Sequence, residues 1–295
     1  MFNHLFDIFG ISIYSYGVLT ALGYLTGIWL ITREAARAEI DPKIIIEMAF
    51  PVLIWTMIGA RLLYIITNIP SYIDMCSTQN DCFAVFRVWE GGLVFYGGLI
   101  GGFSAAVYYI RKYKLNTFKL LDVLAMGMPL GHAIGRLGCF SAGCCYGHET
   151  NSFLGVSFPQ NSIPFNDEVL KGVIDVHANH SLSIHPTQLY EALGVSIIFL
   201  ILWLFRNKKK FHGQIGLLYV ILYSVERSIV EIFRGDGIRK HLFKWSPRSL
   251  TDFLGLPKGS AIILSTSQFI SLIIVIIAVG FMIYLSKKAK NKVLE

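Results

Sequence analysis

The sequence predicts an all-α integral membrane protein of about seven transmembrane helices, with the N-terminus outside and the C-terminus cytoplasmic. Apolar content, scarcity of charge and the placement of cations carry that prediction. Of 295 residues, 54% are hydrophobic and only 15% are charged, against roughly 25% charged in soluble domains. A soluble surface must be solvated and grows with chain size. The composition therefore excludes a soluble enzyme, a disordered chain and a disulfide-stapled miniprotein. At ~20 residues per span, the length holds about seven spans with their connections.

Apolar runs lie near 14–32, 44–66, 92–110, 120–135, 187–205, 214–233 and 261–285. The fourth is the weakest, because it carries Asp122 and several glycines; the seventh is the cleanest. Fifteen of the 26 Lys and Arg residues crowd into alternating short connections: Arg33 to Lys43, Arg111 to Lys119, Arg206 to Lys210 and Lys287 to Lys292. Cations collect on the cytoplasmic side, and this sets the orientation. It also accounts for most of the net charge of +7 without invoking nucleic acid. The opposite loops, near 67–91, 136–186 and 234–260, are longer. The last holds Arg234, Arg239, Lys240, Lys244, Arg248 and Lys258, either ordinary solvated charge or a patch for anionic lipid headgroups. With no internal repeat or low-complexity segment, residues 1–295 read as a single polytopic membrane domain. The first ten residues lack a basic region and a small-residue cleavage site, so no cleaved signal peptide is expected.

Cys76 and Cys82 fall in an outward loop, where disulfides persist, and a local disulfide is expected. Cys139, Cys144 and Cys145 follow the fourth span in a glycine-rich stretch with His132 and Arg136. That stretch admits a metal site with His132 or His148, a reactive thiol, or a pocket lining. The adjacent Cys144-Cys145 pair matches no C-x-x-C zinc spacing, so no metal is assigned.

Ionisable groups at membrane depth are costly and mark functional sites by default. In the sixth span, Tyr223, Arg227, Glu231 and Arg234 follow steps of four, four and three, which share one helix face. Arg227 and Glu231 can pair, and two guanidiniums on a stripe suit a phosphate. His185-Pro186-Thr187-Gln188-Leu189-Tyr190-Glu191 opens the fifth span, with Gln188 and Glu191 on one face and His185 at the interface. In the third span, Gly97/Gly101 and Gly98/Gly102 permit close helix approach, and Tyr96 can present its hydroxyl to a cavity.

Taken in order, several segments resemble the prolipoprotein diacylglyceryl transferase family. They are Tyr16-Gly17, Gly59-Ala60-Arg61-Leu62-Leu63-Tyr64, Glu90 through Gly101, Gly135-Arg136-Leu137-Gly138-Cys139-Phe140 through Gly147, His185 through Glu191, and Arg227 through Arg234. The resemblance implies a seven-helix, N-out enzyme of the bacterial cytoplasmic (inner) membrane. Such an enzyme moves a diacylglyceryl group from phosphatidylglycerol to the lipobox cysteine thiol of a prolipoprotein, within the bilayer and without a cofactor. By matched position it implies Arg136, Arg227, Glu231 and Tyr96 as catalytic residues. Tyr16, Arg61, Gly97, Gly98, Cys139, Cys144, Gly147, His185, Gln188, Tyr223 and Arg234 become substrate-binding residues.

Three positions depart from the family pattern. Tyr96 stands for a histidine before Gly-Gly-Leu, Cys139 for an asparagine, and Cys144 for an acidic residue. Tyrosine, with an ordinary pKa near ~10, is a poor base, so the arginine field would have to generate the thiolate. The alternatives are a same-fold paralogue using its own cysteines on another acceptor, and a non-enzymatic lipid-binding or transport protein.

Overall fold

A computed structural model describes residues 4–8, 11–79, 82–87, 91–235, 241–245 and 263–294. A long helix covers most of each expected apolar run, although the seventh, expected from 261, starts only at Thr266, after the strand Ile263–Ser265 and with 261–262 outside the described residues. The long helices are α1 (Ser15–Arg37), α2 (Pro42–Thr67), α4 (Phe95–Lys112), α5 (Thr117–Ala142), α7 (Thr187–Phe205), α8 (Gln214–Phe233) and α9 (Thr266–Leu294). Two short helices, α3 (Ile69–Gln79) and α6 (Ile163–Leu170), lie in the long loops. Small antiparallel ribbons pair β1 (His4–Ile8) with β2 (Ile11–Tyr14), and β3 (His241–Trp245) with β4 (Ile263–Ser265).

Five helical segments are long and apolar enough to cross a membrane: Ser15–Arg37, Pro42–Thr67, Thr117–Ala142, Thr187–Lys208 and Thr266–Asn291. The helix α4 is diluted by glycines, tyrosines and its terminal Arg111 and Lys112, and α8 by Glu226, Arg227 and Glu231. The second long loop starts later than expected, because α5 runs on to Ala142. In the third, Arg239, Lys240, Arg248 and Lys258 lie outside the described residues.

The chain forms two compact units, one of Met1–Ile31 with Leu121–Glu295 and the other of Thr32–Leu120. In the second unit, α2 and α4 pack through glycines. A methyl group at Gly97 would overlap the Gly59 carbonyl, and one at Gly101 the Trp55 carbonyl. Arg61, 8% exposed, straps the loop after α3 to α2: Nε donates to the Val85 carbonyl at 2.8 Å and Nη1 to the Gly91 carbonyl at 2.8 Å. Its guanidinium also lies over the rings of Tyr64 and Tyr72. Cys76 is disulfide-bonded, and the side chain of its expected partner, Cys82, lies outside the described residues.

In the first unit, α1 and α5 approach through Gly23, Gly27, Gly127 and Gly131, where added methyl groups would meet the facing backbone. Close backbone contact of this kind drives helix association where lipid removes the hydrophobic incentive. Asp122, which weakens the fourth run as a span, is 3% exposed and accepts from the N–H groups of Gly213 at 2.9 Å and Gly216 at 3.0 Å. It satisfies orphan donors and faces the positive end of α8, with Lys209 at 3.4 Å. A buried cluster of Ala125, Met126, Ile198, Leu202 and Ile215 then joins α5, α7 and α8.

Candidate functional site

The site forms in the first unit, where α5 ends, α7 begins and α8 ends. The loop after α5 knits these ends together. Gly147 N–H donates to the His185 carbonyl at 2.9 Å and His148 N–H to the Phe233 carbonyl at 2.8 Å. Gly147 also bridges Arg234 in antiparallel fashion. A side chain at Gly147 would strike His185 and the Phe233 carbonyl, so three backbones cross there only because it is glycine. Beneath the crossing, Tyr146, Phe158 and Ile184 form a small core, and the Tyr146 hydroxyl donates to Asp167.

Two guanidiniums are held by carboxylates. Arg136 Nη2 lies 2.8 Å from Glu191 Oε1, with that carboxylate 2% exposed. Arg227 Nη2 lies 2.8 Å from Glu231 Oε2, the pairing expected one turn apart on α8. Arg136 Nε also donates to His132 Nε2 at 3.0 Å. His132 Nε2 also lies 3.4 Å from Glu191 Oε1. Both arginines act on Glu191 and on Tyr223, and Tyr223 packs edge-on to His132 and stacks on Tyr219. Among the described residues, buried Arg227 Nη1 has no acceptor, leaving a charged donor for a ligand oxygen.

The three thiols gather beside this pair. The sulphurs of Cys139, Cys144 and Cys145 lie within 4.8 Å of one another, and all three cysteines are free. Gln188 Nε2 donates to the Cys144 carbonyl and Thr187 Oγ1 to the Cys145 carbonyl, each at 2.7 Å. Gln188 and Glu191 thus share the face turned to the end of α5. Donation from Cys139 and Cys144, with Arg234 and Arg136 nearby, holds the Cys145 thiol well below the ordinary thiol range. Hydrogen bonding with Cys139 and Cys145, reinforced by burial, pushes Cys144 up. Tyr16, at the start of α1, lies against Gly138 and acts on Cys139 and Cys144.

His185 is 3% exposed. Its Nδ1 lies 3.0 Å from the Tyr190 hydroxyl, its ring packs on Phe233, and its carbonyl anchors Gly147. It acts as a structural hub of the loop. The structure thus gathers Tyr16, Arg136, Cys139, Cys144, Gly147, His185, Gln188, Tyr223, Arg227, Glu231 and Arg234 into one unit. Arg61, Tyr96, Gly97 and Gly98 belong to the other unit. There Arg61 is engaged by backbone carbonyls, Tyr96 is 60% exposed, and Gly97 and Gly98 face α2.

Thr187 and Glu226 were not singled out in the sequence, while His132 entered only as a possible metal ligand and Glu191 only as a residue sharing a face with Gln188. The signal for Glu226 was available, as a carboxylate in an apolar span beside Arg227. Both its oxygens are buried without a partner among the described residues, and its side chain fills the notch left by Gly194 on α7. It borders an apolar cleft of about 590 Å³ between α7 and α8, lined by Leu154, Ile197, Leu222, Ile229 and Phe233. The cleft occupies the face of α8 next to the arginine stripe, and neither Arg136 nor Arg227 lines it.

Several known proteins match most of this chain. The phosphatidylglycerol–prolipoprotein diacylglyceryl transferase of Clostridium tetani is 34% identical over 276 residues, covering 93% of this chain and 94% of that protein. The protein of that name from Clostridioides difficile is 33% identical over 290 residues, covering 98% of each chain. A second form from Clostridium perfringens is 31% identical over 286 residues, covering 97% of this chain and 95% of that one. The family profile described as prolipoprotein diacylglyceryl transferase matches residues 3–284, and the chain belongs to that family.

Proposed function

We propose that this enzyme transfers a diacylglyceryl group from phosphatidylglycerol to the lipobox cysteine thiol of a prolipoprotein. The observation that carries the reading is the pair of arginines, each held by a buried carboxylate, with Arg227 Nη1 left for a ligand oxygen. The names of the relatives support it. In the reaction, the acceptor sulphur forms a bond to the glyceryl carbon. The bond from that carbon to the phosphate oxygen breaks, its electron pair leaves with glycerol phosphate, and the thiol proton passes to a base or to the departing phosphate.

Arg136 and Arg227 bind the phosphate and stabilise its departing charge, an effect that depends on preorganised donors. Glu191 and Glu231 fix the two forks, Tyr16 and Tyr223 line the headgroup pocket, and Arg234 adds to the cationic field. Gly147, His185 and Gln188 hold the loop that carries Cys144, beside Cys139 at the end of α5. The cleft beside Glu226 takes an acyl chain. Tyr96, which stands where the family carries histidine, is proposed separately as a group that holds a substrate oxygen, and Tyr96→Phe tests it. We further assign α4 and α8 as spans beside the five apolar helices. That makes one seven-helix domain in the bacterial inner membrane, N-terminus outside, with the bilayer delivering the lipid.

The test is to incubate the purified chain in bilayers with labelled phosphatidylglycerol and a lipobox peptide. The expected product is a thioether-linked diacylglyceryl peptide with equimolar glycerol phosphate; an intact peptide after prolonged incubation would sink the proposal. The three free thiols favour a second reading, in which one of them accepts the lipid. Label retained covalently on Cys139, Cys144 or Cys145 would decide for that reading.

A further inference from the structure

The three cysteines at the end of α5 converge in a way that their spacing does not foreshadow. Cys139 lies on the last turns of the helix, and Cys144 and Cys145 follow it in the loop. The chain must reverse to bring all three sulphurs together. It does so through two left-handed residues, Gly143 at φ 74° and Cys145 at φ 61°. Left-handed backbone suits glycine but is strained for cysteine, so Cys145 is held there by its surroundings. Thr187 and Gln188, each 1% exposed, clamp the carbonyls of Cys145 and Cys144. The Cys144 N–H returns to the Cys139 carbonyl at 3.2 Å. The three cysteines are half-buried rather than fully enclosed.

We propose that Cys139, Cys144 and Cys145 form a three-sulphur binding site for one thiophilic cation of the zinc class. The distances fit. A zinc–thiolate bond is about 2.3 Å, which places tetrahedral thiolates just under ~4 Å apart, and these sulphurs lie within 4.8 Å of one another before any ion draws them in. Soft thiolate sets select zinc and copper(I) over hard cations. Three protein ligands leave a fourth position open, as in zinc sites that exchange a ligand. The charges also fit. Three thiolates and one divalent ion make a complex of charge −1, and the positive charges of Arg136 and Arg234 act on the cluster. The carbonyl clamps fix the loop before the ion arrives, so little ordering is required on binding. Cys76 is in a disulfide and does not compete.

The test uses the full chain, purified anaerobically in detergent without reductant, so that the Cys76 disulfide stays closed, and stripped with a chelator. It is titrated with zinc chloride against a chromophoric competitor, and with cadmium chloride read by its thiolate charge-transfer absorption. Saturation at one ion per chain is expected, with Cys139→Ser, Cys144→Ser and Cys145→Ser each weakening affinity at least tenfold. A triple serine variant with wild-type affinity, or no saturable uptake, would overturn the site. In wild-type protein, saturating zinc should also protect all three cysteines from iodoacetamide, read by peptide mass spectrometry. That measurement needs no variant to fold, and unchanged alkylation at the three positions would equally refute the site. The binding experiment involves neither lipid nor acceptor peptide, so its outcome is independent of the transfer reaction.

Discussion

At the scale of single residues, the site depends on how each guanidinium is held. Arg136→Ala and Arg227→Ala should each reduce kcat by about a hundredfold or more, the range seen when one preorganised anion donor is removed. Arg227→Lys should recover little of the loss, because an ammonium cannot offer one fork to both Glu231 and a phosphate. These values come from initial rates of peptide lipidation, normalised to protein in the membrane; near-wild-type rates would remove both residues from the phosphate site. Glu168 provides a pH test outside the spans. Burial raises its carboxyl above the ordinary glutamate value, with the Leu182 N–H pulling the other way. The folded state therefore holds the proton more tightly, and stability falls as pH rises from near about 4.3 through the raised folded value. Glu168→Gln keeps an acceptor for Leu182 and removes the titration. Thermal midpoints across that window should lose their downward slope, and an unchanged slope would place the titration elsewhere.

At the scale of elements, two helices gain their meaning from neighbours. The N-terminus of α8 is capped by Asp122 of α5, 91 residues from Gly213 in sequence. Asp122→Ala leaves two backbone donors and Lys209 without their acceptor, and should destabilise the chain by about 1–3 kcal/mol. Detergent-solubilised unfolding midpoints measure that loss, while Asp122→Asn, which keeps an acceptor, should lose less. The face of α8 next to the arginine stripe lines the apolar cleft with α7. Leu222→Trp narrows that cleft without touching the arginines. It should raise KM for long-chain phosphatidylglycerol severalfold and spare a short-chain analogue. An equal effect on both lipids would separate the cleft from acyl binding.

At the scale of the whole molecule, orientation is the first consequence of the cation distribution. Reporter fusions active only outside the cytoplasm should light up after α3 and within 143–186, and stay dark when fused at Lys114, Lys208 or the C-terminus. The reverse pattern would invert the topology. The helices were legible because span length and apolarity are local properties, and the Arg227–Glu231 pair because one helical turn sets its geometry. The partners of Arg136 were less so. Gln188 and Glu191 announced a shared face, but nothing in the chain said that this face meets the end of α5. The thiols were ambiguous because their spacing matches no metal motif, and the backbone reversal at Cys145 has no local sequence signature. Asp122 looked like a flaw in a span until its role at the next helix was seen.

The membrane class, the helices, the family and most of the residues around the two arginines could be read from the chain alone. Hydropathy, charge sidedness and ordered motifs are written along the chain and need no partner to be read. Folding in three dimensions was needed to show that Glu191 holds Arg136, that Arg61 straps a loop, that Glu226 borders a cleft and that three cysteines converge. Each of these depends on which helix faces which, and that is set by glycine contacts and buried polar pairs between segments far apart in the chain.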